Sequence, residues 1–250
     1  LQKRTNEALY ATALLDQPYA SDFSYGATYG EHRAALELDE AQYKVCQLTA
    51  QANQTTLFAT AFDEAAVDFL QALQVPAFKV HSGGLTDESL IKCVATMGKP
   101  VILSTGGGTC EDIDRAVRWL KDCPHALLHT TAAYPLLPQE ANLRVISTLR
   151  KKYPSTVIGW SSHSPGIALS LVAYTLGARI IEQHFTLSRA SKGTDHGFSL
   201  EPKGLETLVD DLGKVRQALG DGVKRIYLSE RAPISKMRRI LTDEGMRITR

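Results

Sequence analysis

The stretch Val157–Ser199, VIGWSSHSPGIALSLVAYTLGARIIEQHFTLSRASKGTDHGFS, decides how the rest of the chain is read. Two short runs of β-type residues, Val157 to Ser162 and Arg179 to His184, flank an apolar segment of helical character, and a histidine stands at the end of each. Parallel strands need a crossover, which a helix between two apolar runs supplies. Both imidazoles then emerge at the same ends of neighbouring strands, where His163 and His184 can share a metal ion. A lone strand-end histidine is more often a hydrogen-bonded structural group than a ligand, because imidazole serves many purposes. Two at equivalent places in consecutive units shift the balance toward ligation. The segment that follows, with Lys192, Asp195, His196 and Ser199 among glycines, has the make-up of a functional loop rather than a connector.

The same unit recurs upstream. Apolar runs at residues 57–61, 77–82, 101–105 and 126–131 are followed by amphipathic segments at 63–73, 87–97, 110–121 and 139–152, and segments 165–176 and 202–219 follow the two runs above. Asp63 and Thr109 stand before helical patterns, Pro165 and Pro202 near helix starts, and Gly98, Gly177 and Gly220 just past helix ends. Strand–helix alternation at a spacing of roughly 20–30 residues is the signature of a parallel α/β fold. Polar residues at strand ends narrow it to a (β/α)8 barrel of the TIM type, whose active-site face is formed by the carboxyl ends of the strands. Only six units are visible, so the barrel is expected to be incomplete on its N-terminal side. Residues 16–33 read as a functional loop or an incomplete element and 39–53 as a helix, while residues 231–250, basic at Lys236 to Arg239, read as a tail or linker after a partial barrel domain at 1–230.

Bulk properties exclude more than they specify. With 250 residues, 44% hydrophobic and 22% charged, the chain can bury a barrel-sized core. A formal net charge of +1 with interspersed signs offers no footprint for nucleic acid and no basic face for a membrane surface. Cys46, Cys93, Cys110 and Cys123 lack C-x-x-C spacing and read as reduced packing residues. There is no run of membrane-spanning length, and LQKRTNEALY is no signal peptide, so the expected compartment is the cytoplasm.

Two further strand ends are rich in donors. KVHSGG places Lys79, His81 and Ser82 beside glycines, and LSTGGGT places Ser104 and Thr105 before three more. A lysine, hydroxyls and exposed backbone amides suit an oxyanion such as phosphate. Taken singly, Lys79 could pair with a carboxylate and the serines could cap helices. The convergence of Lys79, Ser82, Ser104, Ser161, His163, His184 and Asp195 on one face favours a site for a phosphorylated anion and a metal.

The segments LQKR, TYGEH, FDEAAVDFLQALQVPAFKVHSG, KPVILSTGG, TTAAYPLLPQEANLRVISTL, IGWSSHSPGIA, LGARIIEQHFTL and KGTDHGFSLEP closely resemble the sialic acid synthase family, in register from Leu1 to about Glu230. The resemblance implies a barrel that condenses phosphoenolpyruvate with an open-chain N-acylated mannosamine, or its 6-phosphate, to give a nine-carbon 2-keto acid and phosphate. It implies His163 and His184 as ligands of Mn2+ or Mg2+, Lys79, Ser82, Ser104 and Ser161 as the residues that hold phosphoenolpyruvate, and Tyr134, Asp195 and Gln2 near the acceptor sugar. A homodimer is implied too, since the family pairs subunits through a small antifreeze-like domain beyond the barrel. Departures stand at Gly84, where the family has an acid, at Ala132, where it has asparagine or serine, and at Ser162, usually aspartate or glycine. The first two leave open a barrel that binds metal or phosphosugar without condensing it, and fold alone leaves open an aldolase or isomerase.

Overall fold

A computed structural model describes residues 1–248. The chain divides into one compact unit, Leu1–Leu212, and a second from Gly213 onward. Among the described residues, the first unit holds one sheet of seven strands: β1 Gln2–Lys3, β2 Ala59–Ala61, β3 Phe78–Val80, β4 Val101–Ser104, β5 His125–His129, β6 Val157–Ser162 and β7 Ile181–Gln183. Every neighbouring pair is parallel and the spatial order is the sequence order. Strands β2 to β7 fall on the six apolar runs read from the sequence. Strand β1 is a correction to that count, because a two-residue strand carries no periodicity.

Helices α1 Asn6–Leu9, α2 Thr12–Leu15, α3 Tyr29–Ala35 and α4 Glu40–Ala52 lie between β1 and β2. The crossovers are then α5 Glu64–Ala72, α6 Glu88–Thr96, α7 Cys110–Leu120, α8 Arg144–Lys152 and α9 Ala168–Thr175, with α10 Pro202–Leu219 after β7. Asp39, Asp63, Asp87 and Thr109 accept from backbone N–H groups of α4, α5, α6 and α7, which fixes where each of these helices begins. Apolar residues on the inner faces of α5 to α8 (Val67, Leu70, Leu90, Ile91, Ile113, Ile146) pack on Phe78, Val80, Leu103 and Leu127 in one buried cluster.

The sheet curls. Lys79 on β3 and Glu182 on β7 are four strands apart, which in a flat sheet is about 19 Å. Their side chains nevertheless meet at 3.2 Å. The strands therefore form an arc around an interior whose lower part is apolar, lined by Leu57, Ile102, Leu128, Ile181 and Leu208. Such an arc of sequential parallel strands places all the strand C-termini on one face.

The segment read as a long loop, residues 16–33, contains the start of α3, opened by a capping box in which Thr28 and Glu31 exchange side-chain and backbone hydrogen bonds. Tyr10, Tyr19, Tyr29 and His32 pack edge and face around it. Tyr25 donates from its hydroxyl to the Lys192 carbonyl at 2.5 Å, and the Lys192 ammonium lies 4.8 Å from the centre of the Tyr25 ring. This segment is thus tied to the loop after β7. The second unit carries helix α11 Leu228–Met237 and an antiparallel hairpin of β8 Arg239–Thr242 and β9 Gly245–Ile248. Among the described residues no helix is long and apolar enough to cross a membrane.

Candidate active site

Alternation along a strand puts residues i and i+2 on one side of the sheet. At the C-terminal ends of the arc this rule yields the pairs Gln2 and Arg4, Thr60 and Phe62, Lys79 and His81, Ser161 and His163, and Glu182 and His184, all of which line one cavity of about 370 Å3. Ser104, Ala132 and Tyr134 complete its wall from β4 and the segment after β5, Ser82 and Gly83 from the turn after β3, Tyr10 and Arg33 from the N-terminal segment, and Thr194 and Asp195 from the loop after β7. The nine residues to which the resemblance gives substrate or metal roles all line this one cavity, Gln2, Lys79, Ser82, Ser104, Tyr134, Ser161, His163, His184 and Asp195, whereas Thr105, Lys192, His196 and Ser199 do not.

Lys79 is the buried cation at the centre. Its Nζ donates to Ser104 Oγ at 3.0 Å and meets Glu182 Oε1 at 3.2 Å, while the residue is 8% exposed. Glu182 stands opposite Ser161 in the β6–β7 register. Its other oxygen, Oε2, is buried and has no hydrogen-bond partner among the described residues. Ser82 accepts from the Gly106 N–H at 3.1 Å, which ties the turn after β3 to the glycine turn after β4. Gln2, on the edge strand, accepts through its carboxamide oxygen from the Arg4 guanidinium.

His163 and His184 stand side by side, ring centres 5.3 Å apart and planes at 85°. His163 Nδ1 lies 2.8 Å from the Thr131 carbonyl oxygen. A carbonyl can only accept, so Nδ1 carries the proton and Nε2 keeps its lone pair, the arrangement that prepares an imidazole for ligation. Burial holds both histidines below the ordinary imidazole pKa, opposed at His163 by the Thr131 hydrogen bond and at His184 by the Asp195 and Glu182 carboxylates. His184 Nδ1 and Asp195 Oδ2 are 3.7 Å apart, too far for a hydrogen bond. The Tyr134 ring lies 4.1 Å from that of His163, and burial, then Asp195 and Glu182, push its phenol pKa up.

Two neutral imidazoles, one with its tautomer set by a carbonyl, are a donor set that fits a borderline divalent ion. Among the described residues no group of three or more His, Cys, Asp or Glu side chains stands at metal-holding distances. A metal bound at the histidine pair would thus complete its shell with water or substrate oxygens.

The departures fall differently. Ala132 lines the cavity, so a polar side chain there would reach it. A Cβ on Gly84 would stand 2.8 Å from Val80 Cγ1, 3.2 Å from Leu90 Cδ2 and 3.7 Å from Nε2 of His81, which itself lines the cavity. A side chain at this position would start between the core residues Val80 and Leu90 and the cavity residue His81.

The sequence reading missed Glu182, Arg4, Arg33, Tyr10, Thr60 and Phe62. Glu182 was open to the alternation rule, two residues before His184 on the same strand. Arg4 follows the short strand β1 by the same rule, while Arg33 and Tyr10 come from a segment whose approach to the cavity has no periodic signal. His81, noted at its strand end, stacks on Phe62 at 3.9 Å and accepts from the Gly83 N–H through Nδ1. Its burial, with Lys79 adding to the effect, lowers its pKa to about 4.

The sequence model of the NeuB family matches residues 1–224. N-acetylneuraminate-9-phosphate synthase of Mus musculus is 40% identical over 238 residues, 94% of this chain and 66% of the relative, so the chain spans just under two thirds of that protein's length. N,N'-diacetyllegionaminic acid synthase of Campylobacter jejuni is 37% identical over 211 residues, 82% of this chain and 63% of the relative. Among solved structures, the N-acetylneuraminic acid synthetase of Leptospira borgpetersenii in complex with citrate superposes with a TM-score of 0.74 at 34% identity, covering 82% of this chain and 75% of that one. On the extent of the match and the level of identity, the chain belongs to the NeuB family.

Proposed function

We propose that the protein condenses phosphoenolpyruvate with an open-chain N-acylated mannosamine or its 6-phosphate, forming a nine-carbon sialic-acid-type 2-keto acid and releasing phosphate. The enol carbon attacks the sugar aldehyde, the aldehyde oxygen takes up a proton, water adds to the resulting cationic centre, and phosphate departs. The names of the relatives support this class of reaction. The observation that carries it is the placement of Lys79, between Ser104 and Glu182, in the same cavity as the histidine pair.

Lys79 supplies the positive charge for the phosphoenolpyruvate anion, and the hydroxyls of Ser82, Ser104 and Ser161 add donors around it. Glu182 holds Lys79 in place through Oε1. Tyr134, against His163, provides one wall for the acceptor, and Asp195 an acceptor oxygen near His184. Bound by His163 and His184, Mn2+ or Mg2+ would polarise the aldehyde oxygen as a Lewis acid, and imidazole ligation favours Mn2+. We further propose that the arc belongs to a (β/α)8 barrel, an eighth strand standing between the edges of β1 and β7, because both edges border the same apolar interior.

The test is a coupled assay of phosphate release by the product of the complete gene, with phosphoenolpyruvate, Mn2+ and either N-acetylmannosamine or its 6-phosphate. Release that requires an acceptor sugar is expected. Release without any sugar, or none with either, would count against the proposal.

A further inference from the structure

The cavity contains three basic side chains, and two of them already face a carboxylate. Lys79 meets Glu182 at 3.2 Å, and Arg4 Nε meets Glu37 Oε1 at 3.0 Å. Arg33 has no carboxylate within ion-pair distance among the described residues. Its Nε donates to the Tyr29 hydroxyl at 2.8 Å, and its guanidinium carbon lies 5.0 Å from the centre of the Tyr29 ring and 5.8 Å from that of Tyr10. Two tyrosines thus hold the planar group by one edge and one face. Neither Nη donates to a protein group among the described residues.

An arginine held in this way is a preformed fork for a phosphate, whose oxygens accept from both Nη groups at once. It reaches the cavity from α3, whereas Lys79 and the serines reach it from the strand ends. Phosphoenolpyruvate, by the reading above, belongs with Lys79, Ser104 and Ser161. That leaves Arg33 facing the second substrate. An uncharged sugar would have no group that compensates a guanidinium for lost water, but a phosphate ester would.

We propose that Arg33, steadied by Tyr10 and Tyr29, is a second anion subsite of this cavity and takes the phosphate ester of a phosphorylated acceptor, which makes the 6-phosphate rather than the free sugar the preferred acceptor. The assignment rests on the condensation reading for the identity of the acceptor, and on the unpaired guanidinium for the phosphate.

The experiment compares Arg33→Gln and Arg33→Lys with the unaltered protein, each as the complete gene encodes it, in phosphate release with N-acetylmannosamine 6-phosphate and with N-acetylmannosamine. For Arg33→Gln the KM for the phosphorylated acceptor should rise by roughly 10- to 100-fold more than that for the free sugar, the size of one lost charge-assisted contact. Arg33→Lys should recover part of the loss, since it keeps the charge and gives up the fork. Equal losses with both acceptors, or an unaltered protein that prefers the free sugar, would overturn the assignment. Should neither acceptor support release, the condensation reading fails separately, and calorimetric binding of mannose 6-phosphate against mannose decides the subsite. Affinity that needs both the phosphate and Arg33 upholds it; affinity that is absent, or indifferent to either, refutes it.

Discussion

Replacing Lys79 by methionine keeps the apolar stem of the side chain and removes the charge that Glu182 and Ser104 share. At the 3.2 Å separation of Lys79 Nζ and Glu182 Oε1, the gross attraction at an effective dielectric near 20 is about 5 kcal/mol. Most of that is offset by the water both groups give up on burial. Removing one partner from a fully buried pair costs about 3–5 kcal/mol, because the other charge is left alone. The side chain of Glu182 is 36% exposed and that of Lys79 10%, so solvent screens the orphaned carboxylate, and a loss of about 1–3 kcal/mol is expected. Adding Glu182→Gln removes the stranded charge and should restore most of that stability. Binding of phosphoenolpyruvate should behave differently. With the central cation gone, affinity should fall by roughly 10- to 100-fold in the single and the double variant alike. Urea unfolding and calorimetric titration with phosphoenolpyruvate separate the two effects. The reasoning is refuted if Lys79→Met is as stable as the double variant, or if it binds phosphoenolpyruvate as tightly as the unaltered protein.

The remaining expectations concern pH and folding. The His81 ring stays neutral down to about pH 4 in the folded protein, whereas in the unfolded chain it takes up a proton near 6.5. Its contribution is therefore full above pH 6.5 and declines as the pH falls toward 4, by about 1.4 kcal/mol per unit. Between pH 7.5 and 5.0 the unaltered protein should lose about 2 kcal/mol more than His81→Gln in urea unfolding, and identical pH profiles would contradict the assignment. Asp63 accepts from the Ala66 N–H at 2.7 Å, the Thr5 N–H at 2.6 Å and the Thr5 hydroxyl at 3.1 Å. Asp63→Ala should cost about 2–3 kcal/mol; a change below about 0.5 kcal/mol would show that this junction of β1 with α5 adds nothing. Gly84→Ala, with its Cβ against Val80 and Leu90, should lower the unfolding midpoint by the equivalent of about 1–3 kcal/mol, and a neutral result would mean that the core yields there.

How much of this was readable beforehand varies with the physical signal. Strands β2 to β7 announce themselves because buried parallel strands need apolar runs and their crossovers need amphipathic ones. His163 and His184 stand out because they end two such runs in the same way. Glu182 lay within reach of the same logic, but attention to the terminal residue of each run passed over its partner two positions back. The Thr28 to Glu31 capping box was also visible as a pattern, and it marks the helix inside a segment otherwise read as loop. Arg33 and Tyr10 are different. Their arrival at the cavity depends on how Tyr19, Tyr29 and His32 pack together, a tertiary fact with no period in the sequence. Gly84 makes another point: in the sequence it looks like a missing acid at the site, and in three dimensions its Cβ position lies between the core residues Val80 and Leu90 and the cavity residue His81, a tight fit that the sequence does not announce.

The central claim is that this cavity joins two substrates through a new carbon–carbon bond. The most direct measurement is mass spectrometry of the reaction of phosphoenolpyruvate carrying 18O in its bridging position with N-acetylmannosamine or its 6-phosphate, in the presence of Mn2+. The account predicts a nine-carbon 2-keto acid or its phosphate, with the label in the released phosphate, because water adds at the carbon and the phosphate leaves with the bridging oxygen. Pyruvate beside unchanged sugar, or label retained in the keto acid, would contradict it.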